Sequence, residues 1–206
     1  MTRRAAIADY TRAIELNPRD ALSYATRGFN RMLLDDYQAA IDDLSQALAL
    51  DPAPFSSYRN RGVARAELGD FAGAIEDYTQ AITRAPQDIA SYSNRGYAQM
   101  RLGALDAALT DHNRALQLAP HDALSLFNRG LTYVAMGNSV AARADFERSA
   151  MLAERQGDAQ LVQQNRAELA NLVSNGAALE RGSPSCTSAK LSGARLTACI
   201  AVTRRC

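Results

Sequence analysis

The stretch FSSYRNRGVARAELGDFAGAIEDYTQAITRAPQD, residues 55–88, decides the fold because its pattern recurs along most of the chain. Prolines follow one another at intervals of 34 residues, and glycines, alanines and aspartates keep the same interval in register with them. Residue types that share one period identify a repeat, so the chain is built from copies of one structural unit. The repeating positions are Pro18, Pro52, Pro86 and Pro120; Gly28, Gly62, Gly96 and Gly130; Ala6, Ala40, Ala74, Ala108 and Ala142; and Asp9, Asp43, Asp77, Asp111 and Asp145.

Each unit has the pattern of two helices joined by a turn. Small and apolar residues recur at every fourth position through Tyr58, Gly62 and Ala66, which is the spacing of one helical face. Gly69 suits the left-handed backbone conformation that ends many helices, and Pro86 ends the second helix because proline lacks the N–H that a continuing helix needs. Neither helix can bury its apolar face alone, so neighbouring units must cover it.

The unit resembles the tetratricopeptide repeat, a helix-turn-helix of 34 residues. In the second unit the likeness is carried by Tyr58, Gly62, Ala74, Tyr78, Ala81 and Pro86. The family's usual tryptophan is replaced by tyrosine in the first three units and by leucine in the fourth. The resemblance implies an all-α fold, a right-handed superhelical solenoid of such repeats with a C-terminal capping helix.

The repeat register divides the chain into four parts. Residues 1–20 match only the second helix of a unit and form a half repeat, and residues 21–156 hold four tetratricopeptide repeats. Residues 157–180 have an apolar side and a polar side, which predicts a capping helix. Residues 181–206 are rich in Ser, Thr, Arg and Cys, and we expect this tail to be disordered. The repeats are 21–54, 55–88, 89–122 and 123–156.

Composition and charge narrow the classes of function. A net charge of +1 over 206 residues favours neither nucleic acid nor an anionic membrane as partner. The three cysteines, Cys186, Cys199 and Cys206, all lie in the tail, so no disulfide holds the repeats together. No apolar stretch approaches the roughly 20 residues of a membrane span, and the start lacks a signal-peptide pattern. We therefore expect a cytoplasmic protein that does not bind membranes.

Catalytic signatures are missing from the sequence, which contains no nucleophile elbow, zinc-protease motif or phosphate-binding loop. His112 takes the position that Tyr78 has in the preceding repeat, so we expect it to be a packed core residue. His121 lies in a predicted turn and should be exposed. The cysteines have no metal-ligand spacing. We expect no enzymatic activity, no cofactor and no metal site.

Asparagine precedes the Arg-Gly pair in three of the first helices, at Asn60, Asn94 and Asn128. A helix turns by about 100° per residue, so Asn60 lies about 160° from Gly62. Because the glycine faces the partner helix, the asparagines should face away from it, into what the resemblance implies is a concave groove. An amide can donate and accept hydrogen bonds with a peptide backbone, and some members of the family bind extended peptides through such asparagines. The alternative is that asparagine merely suits a crowded groove wall.

Apolar side chains follow the asparagines on the same helical face and could form an adaptable groove floor. Ordinary helix packing is the alternative for them. Arg59 is the isolated basic residue of this face, and Val63 stands where chaperone-binding members have asparagine. We therefore do not expect binding of a chaperone's acidic C-terminus. The candidate side chains beside Asn60, Asn94, Asn128 and Arg59 are Phe29, Tyr97, Phe127, Met32 and Met100.

Arginines and aspartates form a second periodic set, which we interpret as structural ion pairs between helices. We predict that at least three of the four arginines lie within about 4 Å of one of the periodic aspartates. The sequence leaves open whether the partner belongs to the same repeat or to the preceding one. The arginines are Arg27, Arg61, Arg95 and Arg129.

These features predict a protein–protein interaction scaffold that binds an extended peptide segment in its concave groove. The expected partner is a protein or a peptide, and the oligomeric state stays open. Two alternatives remain at this point. The chain could be the regulatory or targeting fragment of a longer enzyme truncated at its N-terminus, or it could be a self-assembling structural module.

Overall fold

The computed structural model describes residues 2–180, which contain ten α-helices and no strand. Residues 181–206, with the predicted disorder and all three cysteines, lie outside the described residues. Within residues 2–180, no helix combines the length and the apolar character that a membrane span requires. The helices are α1 (Arg3–Leu16), α2 (Ala21–Met32), α3 (Tyr37–Leu50), α4 (Phe55–Glu67), α5 (Phe71–Arg84), α6 (Ile89–Arg101), α7 (Leu105–Leu118), α8 (Ala123–Ala135), α9 (Ser139–Gln156) and α10 (Ala159–Glu180).

Helices pair in the order that the repeat predicts. The first helices of the four repeats are α2, α4, α6 and α8, and each packs along the second helix that follows it, α3, α5, α7 or α9. The turn inside each repeat needs one residue with positive φ, which is Gly69, Gly103 or Gly137 in the last three repeats, with φ of 85°, 81° and 77°. Asp35 takes this position in the first repeat with φ of 62°, a conformation that short polar residues tolerate better than bulky ones.

The two helices of a repeat approach closely at a periodic glycine. A Cβ atom on Gly62 would lie 2.8 Å from Cε1 of Tyr78, and one on Gly130 would lie 2.5 Å from Cε1 of Phe146. Such distances are shorter than carbon atoms tolerate, so only glycine fits against these rings without a shift. The predicted contact between the glycine and the second helix is therefore present.

The core continues along the stack of repeats. One group of buried residues spans α2 to α6 and another spans α6 to α10, and Phe71 packs against both. Leu161 and Val162 of α10 belong to the second group, so α10 covers apolar surface of the last repeat. The result is an all-α solenoid in which each repeat depends on its neighbours.

The solenoid curves with the first helices on its inner side. Neighbouring first helices contact each other, at α2 with α4, α4 with α6 and α6 with α8. The second helices of neighbouring repeats scarcely touch within the described part of the chain. Helices that lie closer together occupy the shorter path around a curve, so α2, α4, α6 and α8 form the concave wall.

Candidate functional site

The predicted arginine–aspartate pairs are present in all four repeats, and each lies within one repeat. In the third, Nε of Arg95 donates to Oδ2 of Asp111 at 2.7 Å, while Nη2 donates to Oδ1 at 2.8 Å. The aspartate is 4% exposed, and its hydrogen bonds raise the pKa of Arg95. This geometry is the strong, two-point form of the ion pair. The other pairs are Arg27–Asp43, Arg61–Asp77 and Arg129–Asp145.

Each of these arginines also reaches the preceding second helix. Nη1 of Arg95 donates to Oγ1 of Thr79 at 3.1 Å, and Nη1 of Arg129 donates to Oδ1 of Asn113 at 2.8 Å. One guanidinium therefore joins two second helices that scarcely touch each other directly. The arginines therefore act within the structure, as the sequence predicts.

The candidate asparagines differ in exposure. Asn60 is partly exposed, but Asn94 is 1% exposed and Asn128 is 0% exposed. Nδ2 of Asn128 donates to Oγ of Ser93, on the neighbouring first helix, at 3.1 Å. The expectation that all three amides are open to the groove is therefore wrong for Asn94 and Asn128. The amide of Asn128 lies where two neighbouring first helices pack together. A helical wheel drawn for one helix does not include the adjacent helix, so it could not predict this burial.

Most of the apolar candidates are buried as well. The ring of Phe127 packs on Phe146 with centroids 5.5 Å apart and a tilt of 48°. Phe29 is only partly buried and packs against the N-terminal core group. The expected open floor is thus reduced to Phe29, because neighbouring repeats cover the other side chains. The buried candidates are Met32, Tyr97, Met100 and Phe127, at 3%, 6%, 7% and 3% exposure.

Arg59 is not isolated, contrary to the expectation from the sequence. Its Nη1 atom lies 2.8 Å from Oδ1 of Asp88, and its guanidinium lies over the ring of Phe55 at 5.6 Å. Asp88 also caps α6 by accepting a hydrogen bond from the Ser91 backbone N–H. Arg59 therefore ties α4 to the start of the next first helix, an association over 29 residues that local pattern does not indicate.

Glu67, at the end of α4, is a titratable group that the sequence pattern does not reveal. Burial raises its pKa to about 7, and the charge of Asp35 adds to the shift. The carboxylate of Asp35 also accepts a hydrogen bond from the Tyr37 hydroxyl at 2.8 Å. The other repeats have leucine, arginine or alanine at this position, at Leu33, Arg101 and Ala135, so periodicity gives no signal for it.

His112 is a core residue, as its place in the repeat predicts. The side chain is 0% exposed, and its ring lies against Gly96. Burial lowers the pKa of His112 to about 3, with a further contribution from the positive charge of Arg129. The imidazole is therefore neutral over the physiological range and cannot be reached by a substrate.

Comparison with known proteins agrees with the repeat. A profile of the tetratricopeptide repeat matches residues 34–89, and no curated protein gives a significant sequence match. Among solved structures, MamA from Desulfovibrio magneticus has a TM-score of 0.69 and 19% identity, over 75% of this chain and 87% of that one. YrrB, described as a tetratricopeptide-repeat protein with an unusual peptide-binding site, has a TM-score of 0.66 and 22% identity, over 80% and 84%.

A third similar structure is the first tetratricopeptide-repeat domain of Spaghetti, bound to an HSP90 peptide. It has a TM-score of 0.55 and 27% identity, over 57% of this chain and 93% of that one. The matched segment shares its period with the rest of residues 21–156, and the helix pairs continue through the same region. The profile assigns residues 34–89 to the tetratricopeptide repeat, and the repeat register and the shared fold extend the same helix pairs through residues 21–156.

Proposed function

We propose that this protein is an interaction scaffold whose concave wall holds a short, extended peptide segment of a partner. The observation that carries the proposal is the partly exposed pair of Asn60 and Phe29, on neighbouring first helices of that wall. An amide that can pair with a backbone and an apolar ring that can contact a side chain are the two elements that peptide binding requires. YrrB and Spaghetti, which share the fold, are described as binding peptides.

Helix spacing sets the length of the segment. Packed helices lie about 8–10 Å apart, and an extended chain advances about 3.3 Å per residue. Successive first helices would therefore meet the ligand at about every third residue. We assign the ligand contacts to Asn60 and Phe29. Asn128, which donates a hydrogen bond to Ser93, instead helps to set the distance between neighbouring first helices of the concave wall.

A binding experiment can test this assignment. The full chain is used to select peptides of about seven residues from a displayed random library, and affinity is measured by titration calorimetry. We expect dissociation constants in the micromolar range, which correspond to a binding free energy of about −8 kcal/mol. Asn60→Ala should weaken binding about fivefold, because a neutral hydrogen bond nets about 1 kcal/mol. Phe29→Ala should remove the preference for apolar side chains.

Asn171→Ala is the matched control, since Asn171 is exposed on α10, which packs on α9 and not on α2 and α4, the helices of Phe29 and Asn60. It should leave the dissociation constant unchanged. Circular dichroism would show that each variant keeps its helices. If a selected peptide binds Asn60→Ala and Phe29→Ala as tightly as the original chain, the proposed contacts are wrong.

A further inference from the structure

Glu67 is partly buried, yet its carboxylate has no hydrogen bond or ion pair with any residue that the structure describes. Every other carboxylate that is at least partly buried among the described residues accepts a hydrogen bond from an arginine, a backbone N–H or another polar side chain. Those carboxylates belong to Asp20, Asp43, Asp77, Asp88, Asp111, Asp122, Asp145 and Glu168.

The surroundings of Glu67 oppose its negative charge. Burial and the charge of Asp35 raise the pKa of Glu67. Glu67 is also the last residue of α4, where the helix dipole places partial negative charge. Arg101, at the same position of the third repeat, has the sign of charge that a helix end favours. A carboxylate that is retained against these costs without a compensating partner points to function and not to stability.

The groups that are electrostatically coupled to Glu67 are acidic or neutral. Asp35 lies in the turn after α2, Tyr37 begins α3, and Tyr78 lies on α5. The charge of Glu67 contributes to the raised pKa of both tyrosines. The Tyr78 hydroxyl is buried and has no hydrogen-bond partner in the structure. Glu67 and Asp35 therefore form a negative site beside the wall that favours a cation.

Glu67 lies on the same face of α4 as Asn60. Seven residues turn a helix by about 700°, which is about 20° short of two full turns, and advance it by about 10 Å. Cα–Cβ bonds tilt toward the N-terminus of a helix, so the Glu67 side chain leans toward Asn60. Both side chains are partly exposed. A segment whose backbone pairs with Asn60 can therefore direct a long side chain at Glu67.

We infer that the peptide segment bound by the concave wall carries an arginine or lysine side chain that pairs with Glu67. The inference rests on the proposed function and adds the charge of the ligand to it. A basic side chain supplies the positive charge that Glu67, Asp35 and the end of α4 attract. Its apolar stem can lie along the wall while its charged group reaches the carboxylate.

Parallel selection from the displayed random library tests the charge of the ligand. The original chain and Glu67→Gln are used at about pH 8, where the carboxylate of Glu67 is ionised because its pKa is about 7. Peptides selected by the original chain should share arginine or lysine at one position, and those selected by Glu67→Gln should not. Glu76→Gln, which removes an exposed carboxylate on α5, should select the same peptides as the original chain.

A second measurement uses one selected peptide with arginine at the shared position. Citrulline has nearly the shape of arginine and no charge. Replacing the arginine with citrulline should weaken binding to the original chain at least about tenfold, the loss expected for a charge-assisted hydrogen bond. The same replacement should leave binding to Glu67→Gln almost unchanged, because the two changes remove one interaction.

Peptides that share no basic position overturn the inference, and so does a citrulline replacement that weakens binding to both chains equally. In either case the proposed concave wall stands if Asn60→Ala and Phe29→Ala still weaken binding. If the library yields no peptide that binds the chain, the proposed function and this inference both fail.

Discussion

Replacing His112 with phenylalanine should make the protein less sensitive to acid. The imidazole is fully buried, and neither ring nitrogen has a hydrogen-bond partner in the structure. Its pKa is about 3, against an ordinary value of 6.5, because burial disfavours the charged form. Phenylalanine already fills the corresponding position in the fourth repeat, where Phe146 lies against Gly130.

The sign of the effect follows from the pKa in the two states. The folded pKa lies below the unfolded one, so the unfolded chain takes up the proton first as the pH falls. Stability is therefore intact above about pH 6.5 and is lost progressively down to about pH 3. At about pH 5, roughly 1.5 units below the unfolded pKa, the loss is about 2 kcal/mol at about 1.36 kcal/mol per unit.

Urea denaturation, followed by circular dichroism at about pH 7.5 and about pH 5, measures the effect. Between about pH 7.5 and about pH 5, the free energy of unfolding of the original chain should fall by about 2 kcal/mol more than that of His112→Phe. His121→Gln, which replaces a histidine at an exposed position, is the control. His112→Phe also removes two buried nitrogens that lack hydrogen bonds, which should raise the free energy of unfolding by about 1–3 kcal/mol at either pH. Any strain caused by the larger phenyl ring reduces this gain. Equal losses in the original chain and in His112→Phe would refute the reasoning.

Four further substitutions test the helix contacts, the ion pairs and the buried carboxyl of Glu67. Gly62→Leu should lower stability by about 1–3 kcal/mol in thermal denaturation because a Cβ there meets Tyr78 at 2.8 Å; an unchanged melting temperature would mean that the helices separate easily. Arg95→Gln should cost about 3 kcal/mol in urea denaturation, because it leaves the buried carboxylate of Asp111 without its arginine. Arg61→Gln should cost clearly less, since Asp77 keeps Arg65 at 2.9 Å, and equal costs would contradict this ranking. Glu67 has a folded pKa of about 7 against an ordinary 4.5, so its stabilising contribution is present below about pH 4.5 and lost as the pH rises through about 7. Glu67→Gln should therefore raise the melting temperature at about pH 8 and change it little at about pH 4, whereas an equal rise at both would show that the carboxyl is not desolvated.

Period and residue type together predict a large part of the structure. The helix pairs, the glycine contacts and the arginine–aspartate pairs all follow from residues that recur every 34 positions. His112 could be assigned to the core because Tyr78 and Phe146 hold the same position. Periodic residues are predictable since each copy of the unit places them in the same surroundings, so one argument serves for every copy.

The candidate groove was predicted less well, because the exposure of its side chains depends on packing between neighbouring repeats. A helical wheel considers one helix at a time, and it places Asn128 on the side away from Gly130. Ser93, which accepts the hydrogen bond from Asn128, lies on a different helix. Tyr97 and Met100 likewise join a core group shared by several repeats. How far the wall stays open depends on how tightly neighbouring repeats pack, and that is a property of the stack.

The sequence by itself determined the unit, its two helices, their register and the residues at which they meet, because these depend on contacts within one repeat and between adjacent ones. Only the tertiary structure decided which concave side chains remain exposed, that Arg59 reaches Asp88, and that Glu67 is desolvated enough to titrate near pH 7. Burial and pKa depend on every atom packed around a group, and residues far apart in the chain contribute those atoms, so no local pattern contains them.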